Sequence, residues 1–269
     1  MRVTDLTMER NFLYNIFNCE ARLQKLQDQA SSGKRITRPQ DDPLGTERSI
    51  GLRHHLSKSE QYLRNLDSAR TWMEETEQAL SELTTVLSRA QELALYGGTG
   101  TTPPAAREAI ASELDELAKE VHSIAGRTIE GRKLLTGTMP QWKLSDDVTV
   151  TVPDLTALLS DAEKFISQLA AGLRTSSESD IGAATAGINS SLDGVLAARA
   201  ENGARIRRLD ILEEKTKALD IEYQRLLSNV EDADLTEVIV RLKSQEAAYQ
   251  AALAVGARLI QPSLLDHLR

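Results

Sequence analysis

The sequence of 269 residues has little of what compact domains are usually built from. It has a single cysteine, Cys19, so neither an internal disulfide nor a cysteine-cluster metal site is available to it. Its 15 glycines and 7 prolines amount to roughly 8% of the chain, against about 12% in average proteins. Aromatic residues are 4%. Few turn-formers and few bulky core residues disfavour a globule of many short elements and favour long helices packed along their length. An excess of basic charge is missing too. The 32 Lys and Arg face 40 Asp and Glu, a net charge of −8, so the basic surface on which general nucleic-acid binding depends is not expected. No apolar run nears the roughly 18–20 residues needed to span a membrane. The N-terminus, MRVTDLTMERNFLYNIF, lacks the unbroken apolar core and small-residue cleavage site of a secretory signal.

Catalytic signals are missing as well. His54 and His55 are adjacent on a helical stretch, so their side chains point about 100° apart and do not converge on one metal. Cys19 sits on an apolar stripe and reads as a small buried hydrophobe. The stretch GGTGTTPP (97–104) has neither the Lys–Ser/Thr pair of a phosphate loop nor a strand before it, and reads as a turn between helices. The pairs Glu74–Glu75 and Glu213–Glu214 read as the solvated face of long helices. No catalytic residue, cofactor or metal is expected, and the chain reads as structural rather than enzymatic.

What the sequence does have is helical periodicity. Phe12, Ile16, Cys19, Leu23, Leu26 and Ala30 are spaced 4, 3, 4, 3, 4, a heptad seam that needs a partner helix. SSGKRITRPQDDPLG (31–45) interrupts it. Within this break an Asp followed by Pro43 can cap and open the next helix. That helix carries a seam from Leu52 to Ala94 with one polar position near Ser59. After the 97–104 turn, Ile110, Leu114, Leu117, Val121 and Ile124 form another stripe running towards Gly131. Val148, Val150 and Val152 alternate with threonines, a strand signal. Residues 154–173 read as a short amphipathic helix and 175–180 as a link. A long helix returns from about Ile181, and NVEDADL (229–235) breaks it, with Asp232 or Asp234 as candidate cap. The last stripe is read through Leu235, Val238, Leu242, Gln245, Tyr249, Leu253 and Gly256.

The expected fold is all-α: an elongated antiparallel helical bundle or coiled-coil rod made from the N- and C-terminal segments, with a small mixed insertion in the middle. Residues 1–45 and 230–269 form the terminal coiled-coil segment. Residues 46–137 and 181–229 form the helical rod. Residues 138–180 form the insertion, with a short strand and helix. A few heptads are marginal alone, so the terminal segments are expected to be disordered in the monomer and to fold on assembly. Periodicity by itself is equally compatible with a cytosolic coiled-coil scaffold.

Several stretches go beyond generic helix. Gln29-Ala30-Ser31-Ser32-Gly33-Lys34-Arg35-Ile36 is followed by Asp41-Asp42-Pro43, and Arg199-Ala200-Glu201-Asn202-Gly203-Ala204 by Arg208-Leu209-Asp210. With Ser228–Asp234, Tyr249-Gln250-Ala251 and Ser263-Leu264-Leu265-Asp266, they resemble the flagellin superfamily, whose patterns look like LSSGKRI…DDPAG and RAxxGAxxNRLE. The resemblance covers about 1–135 and 185–269. Met1-Arg2-Val3-Thr4 and the Asp41-Asp42-Pro43 form look more like the hook–filament junction branch. Flagellins more often have alanines after the two aspartates and Asn where this chain has Arg207. A short flagellin forming the filament itself remains the alternative.

The resemblance implies a non-enzymatic subunit of the bacterial flagellum, extracellular and exported through the flagellar channel without a cleaved signal. It would assemble as a ring of copies of itself between the first hook-associated protein and flagellin, after release from an export chaperone. No nucleic acid and no membrane insertion would be involved. The terminal segments would line a tube, with Ser32–Gly45 as a spoke. Gly33 would supply a positive φ. Lys34, Arg35, Asp41 and Asp42 would make charged contacts to neighbours, or else caps and pairs within the chain. Leu242, Tyr249, Leu253, Leu264 and Leu265 would supply apolar contacts.

Overall fold

The structure, a computed structural model, describes residues 5–99 and 102–266, and for residues 5, 6, 9 and 258–266 the backbone alone. The described residues form α1 (Asp5–Ser32), α2 (Pro43–Gly97), α3 (Pro104–Ala125), β1 (Thr128–Ile129), β2 (Arg132–Lys133), β3 (Gln141–Lys143), β4 (Thr149–Thr151), α4 (Thr156–Thr175), α5 (Glu178–Glu231) and α6 (Leu235–Asp266). The fold is mainly helical, with two small antiparallel sheets, β1–β2 and β3–β4.

Helix starts follow the capping logic of the sequence. Asp42 accepts the Gly45 N–H at 2.9 Å, and Pro43, which has no N–H to leave unpaired, opens α2. Asp234 is the residue that caps α6, accepting from the N–H groups of Thr236 and Glu237 at 2.9 and 3.2 Å. In two places the chain departs from the helical reading. The stripe of α3 ends at Ala125 rather than running to Gly131. Residues 127–134 instead turn back as the β1–β2 hairpin, because Glu130 and Gly131 both take positive φ (50° and 76°), the pair of dihedrals a tight two-residue hairpin turn requires. The link at 175–180 is also shorter than expected: Ser176, at φ 57°, ends α4, and α5 begins at Glu178.

Residues Ser59–Ala218 form one compact unit. In it α3 and α4 pack on each other. Leu114, Val121, Ile166 and Leu169 join Leu80, Leu83 and Leu87 of α2 and Ile188 and Val195 of α5 in one apolar core. A smaller cluster of Leu66, Met73, Leu144, Val150 and Leu209 seats the β3–β4 hairpin. The alternating valines therefore do as the period-two pattern predicts: Val150 is buried while Thr149 and Thr151 face out. The Trp72 indole N–H donates to the Leu134 carbonyl at 3.3 Å, and the Trp72 and Trp142 rings meet at 5.8 Å. Ion pairs stitch the surface, with Arg174 reaching Asp115 and Glu108 at 2.6 and 3.2 Å.

Residues Met1–Lys58 and Leu219–Arg269 form the other unit. Here α1 and α6 pack together. They run antiparallel, since Lys34 bridges Asp232, the Gln245 side chain reaches the Cys19 carbonyl and Phe12 lies over Gly256. The α1 seam predicted from spacing is the one used: Phe12, Ile16, Cys19, Leu23, Leu26 and Ala30 are all half-buried. On α6 the inward stripe is Val238, Leu242, Gln245, Tyr249, Ala252 and Gly256. Leu253, read from the sequence as a seam residue, is instead 44% exposed. Steps of four-then-three and three-then-four both join Tyr249 to Gly256. The larger side chain made Leu253 the better seam residue on paper, but the narrow interface takes Ala252.

The core of the Ser59–Ala218 unit should respond to a large-to-small substitution in the usual way. Leu114 is fully buried, so Leu114→Ala is expected to cost about 2–5 kcal/mol, read from the urea midpoint.

Candidate functional site

The site lies in the break between α1 and α2, where the chain meets the turn between α5 and α6. Gly33 has φ +68°, a left-handed conformation open to glycine at little cost. It ends α1, its N–H donating to the Gln29 carbonyl at 2.9 Å. From there the link pairs with the α5–α6 turn: the Arg35 N–H donates to the Glu231 carbonyl at 2.6 Å and the Ala233 N–H to the Gly33 carbonyl at 2.9 Å. Lys34 and Asp232 are the partners of this small antiparallel bridge.

Charges lock the bridge. Arg53 of α2 grips the Glu231 carboxylate with two parallel bonds of 2.9 and 2.8 Å, the strong fork geometry of guanidinium on carboxylate. The Ser49 hydroxyl donates to the same carboxylate, and Lys34 approaches it at 3.4 Å. The Glu231 side chain is only 6% exposed. Its hydrogen bonds, the one from Arg53 above all, outweigh the cost of burial and hold its pKa below the ordinary carboxylate range. Lys34 pairs with Asp232 at 2.6 Å. This bond, the largest influence on both groups, raises the Lys34 pKa and lowers that of Asp232.

The other link charges are engaged within the chain too. Asp41 pairs with Lys25 at 2.7 Å and accepts from the Thr37 hydroxyl and the Arg38 N–H at 3.0 and 3.1 Å. Lys25 is the main cause of its lowered pKa. Asp42, whose pKa is lowered chiefly by the Gly45 N–H, caps α2 and also meets Arg35 at 3.1 Å. Arg35 reaches on to the Val230 carbonyl at 2.9 Å.

Gly33, Lys34, Arg35, Asp41 and Asp42, singled out from the sequence, thus lie in or beside one cluster. Leu242 and Tyr249 are half-buried on the α6 seam, and Leu253 is exposed beside it. Leu264 and Leu265 lie outside the residues whose side chains are described. Sequence reasoning missed Ser49, Arg53 and Glu231. The last two stand 178 positions apart, and no local spacing relates them. It also missed the stack of His55 on Tyr223, with ring centroids 5.3 Å apart. Beyond the clamp, the α1–α6 pair keeps large apolar groups in solvent: Leu13, Tyr14 and Phe17 on α1, and Ile239, Val240 and Val255 on α6. Contiguous exposed apolar surface of this kind is unusual on a soluble monomer.

The family described as the bacterial flagellin N-terminal helical region matches residues 3–139. The flagellar hook-associated protein 3 of Salmonella typhimurium is 26% identical over 300 aligned residues, which cover 94% of this chain and 95% of that protein. Polar flagellin F of Vibrio parahaemolyticus is 33% identical over 116 residues, 43% of this chain and 31% of its own length. Among solved structures, FlgL of Bacillus cereus superposes with a TM-score of 0.60 at 19% identity, over 66% of this chain and 99% of that one.

The clamp sets a pH dependence. A carboxylate whose folded pKa is lowered contributes stability that is present above its unfolded value, about 4.3 for Glu. That contribution is lost as pH falls through the folded pKa. Glu231→Gln is expected to cost about 1–2 kcal/mol at pH 7, modest because the partner Arg53 is largely solvated. Urea midpoints for the two proteins should differ at pH 7 and converge as the pH is taken below about 4.

Proposed function

The chain belongs to the bacterial flagellin N-terminal helical region family, and from that membership we propose that it is a structural subunit of the bacterial flagellum that joins hook to filament. The observation that carries this reading is colinearity. The match to a hook-associated protein 3 covers 94% of this chain and 95% of that protein, more than the 86% of each covered by the match to a filament core protein of Treponema maltophilum, while the match to polar flagellin F stops at less than a third of that protein. The subunit is non-enzymatic and acts through polymer contacts. It is exported through the flagellar channel, held before export by a flagellar chaperone, and assembles outside the cell as a ring between the first hook-associated protein and flagellin. The α1 and α6 helices act as an antiparallel coiled-coil ribbon whose outer apolar faces are covered by neighbouring copies. Leu242 and Tyr249 tighten the ribbon, while Leu253, Leu264 and Leu265 meet neighbours. Gly33, Lys34, Arg35, Asp41 and Asp42 hold its base, and the solvated parts of Lys34 and Arg35 reach adjacent subunits.

A strain of the native bacterium lacking this chain should lose filaments and shed flagellin monomers into the medium, and complementation should restore both. Intact filaments in that strain would overturn the junction role. Growth of the purified chain alone into long filaments on seeding would reassign it to the filament.

In the free subunit, amides of residues 7–30 and 236–256 should exchange within seconds to minutes while those of α3 and α4 are protected for far longer. Leu253→Asp should leave helix content near wild type, by circular dichroism, and abolish filament attachment in the complemented strain.

A further inference from the structure

A heptad seam is degenerate: sliding one helix past the other by seven residues restores apolar against apolar. Apart from Phe12 and Gly256, the stripes of α1 and α6 do not forbid this slip, which displaces one helix by about 10.5 Å. Two features at opposite ends of the pair break the degeneracy. At the base, the Lys34–Asp232 bridge ties the residues that follow α1 to those that precede α6, through two backbone hydrogen bonds and the positive φ of Gly33. Towards the other end, Phe12 lies directly over Gly256, and a Cβ at position 256 would run into its ring. After a one-heptad slip Phe12 would face either Tyr249, a second bulky ring, or Ser263, with the gap at Gly256 left unfilled.

We propose that these two features, the link bridge and the Phe12 ring on Gly256, fix the register in which the terminal helices pair. This rests on the pairing of α1 with α6 and not on the flagellar reading, so failure of either leaves the other standing.

The native Cys19 supplies the test, because its carbonyl accepts from the Gln245 side chain. Full-length chains carrying Gln245→Cys, Val238→Cys or Ala252→Cys are treated with a short bis-maleimide, and intrachain products are quantified by mass spectrometry. In the native background Q245C should cross-link at least about tenfold faster than either slipped position, the ratio that one lost ring contact carries. Adding Gly33→Val and Gly256→Leu together should bring the three rates within about threefold of one another. Gln250→Ala, on the exposed flank, should leave the native pattern unchanged. Comparable rates in the native background would overturn the proposal. So would a double variant that still cross-links only at position 245, and so would loss of all three products, which would assign these residues to pairing itself rather than to register.

Discussion

Two helices alone do not close an apolar seam. A helix of a globular protein buries a stripe wider than one partner covers, and among the described residues α1 and α6 pack chiefly on each other. Of its described inward positions only Val238 and Gly256 are buried, while in the Ser59–Ala218 unit Leu83, Leu114, Ile166 and Leu169 show no exposed surface. At about 25 cal/mol for each Å² of apolar surface withdrawn from water, the half-covered seam draws much less stability per residue than that core. The other features of the terminal unit follow from this shortage: a charged clamp at its base, and apolar side chains left outward for other surfaces to cover.

The clamp addresses the entropy of bringing distant segments together. Cys19 and Gln245 are 226 residues apart, and without the link bridge the α1–α6 pair would have to close a loop of that order. Tying residues 33–35 to residues 231–233 turns the closure into a local one, a zipper started from a fixed base. Exposed ion pairs contribute little to stability, but the Glu231 carboxylate is enclosed and accepts from Arg53, Ser49 and Lys34 together. An enclosed carboxylate with several donors is costly to open, since any partner removed leaves a buried charge less satisfied.

Much of this was legible in the sequence wherever the governing physics is local. The α1 seam follows from side chains recurring every three or four residues, and β4 from alternation. An Asp before Pro43, and Asp232 or Asp234, mark helix starts because capping needs only a carboxylate two or three residues before an unpaired N–H, and the structure selects Asp42 and Asp234. The hairpin at 128–133 was not legible, since Glu130 gives no hint of a positive φ. Leu253 misled because hydrophobicity is a poor guide to inward direction when Ala252, one position away, serves the same helical step. The Arg53–Glu231 pair was illegible for a different reason: it is made by the fold, between residues whose neighbours in sequence carry no shared signal. The partners of Lys34, Arg35 and Asp41 were of the same kind, and the chain supplies them from Asp232, Val230 and Lys25.

That division of labour bears on how such a subunit recognises its neighbours. With the link charges paired inside the chain, the proposed adhesion falls chiefly to apolar side chains such as Tyr14, Phe17, Ile239 and Val240, and hydrophobic contact is non-directional. Something else must then supply direction. In the ring proposed above, every subunit must present Leu13, Tyr14 and Phe17 at one fixed height against Ile239 and Val240, because an error repeats at each contact. A seven-residue slip would leave most of the inner seam apolar against apolar yet move one outer patch by about 10.5 Å relative to the other. Apolar faces can carry specificity here only if the two helices that bear them are held in a single register, and that burden falls on the polar base and on one ring seated over one glycine.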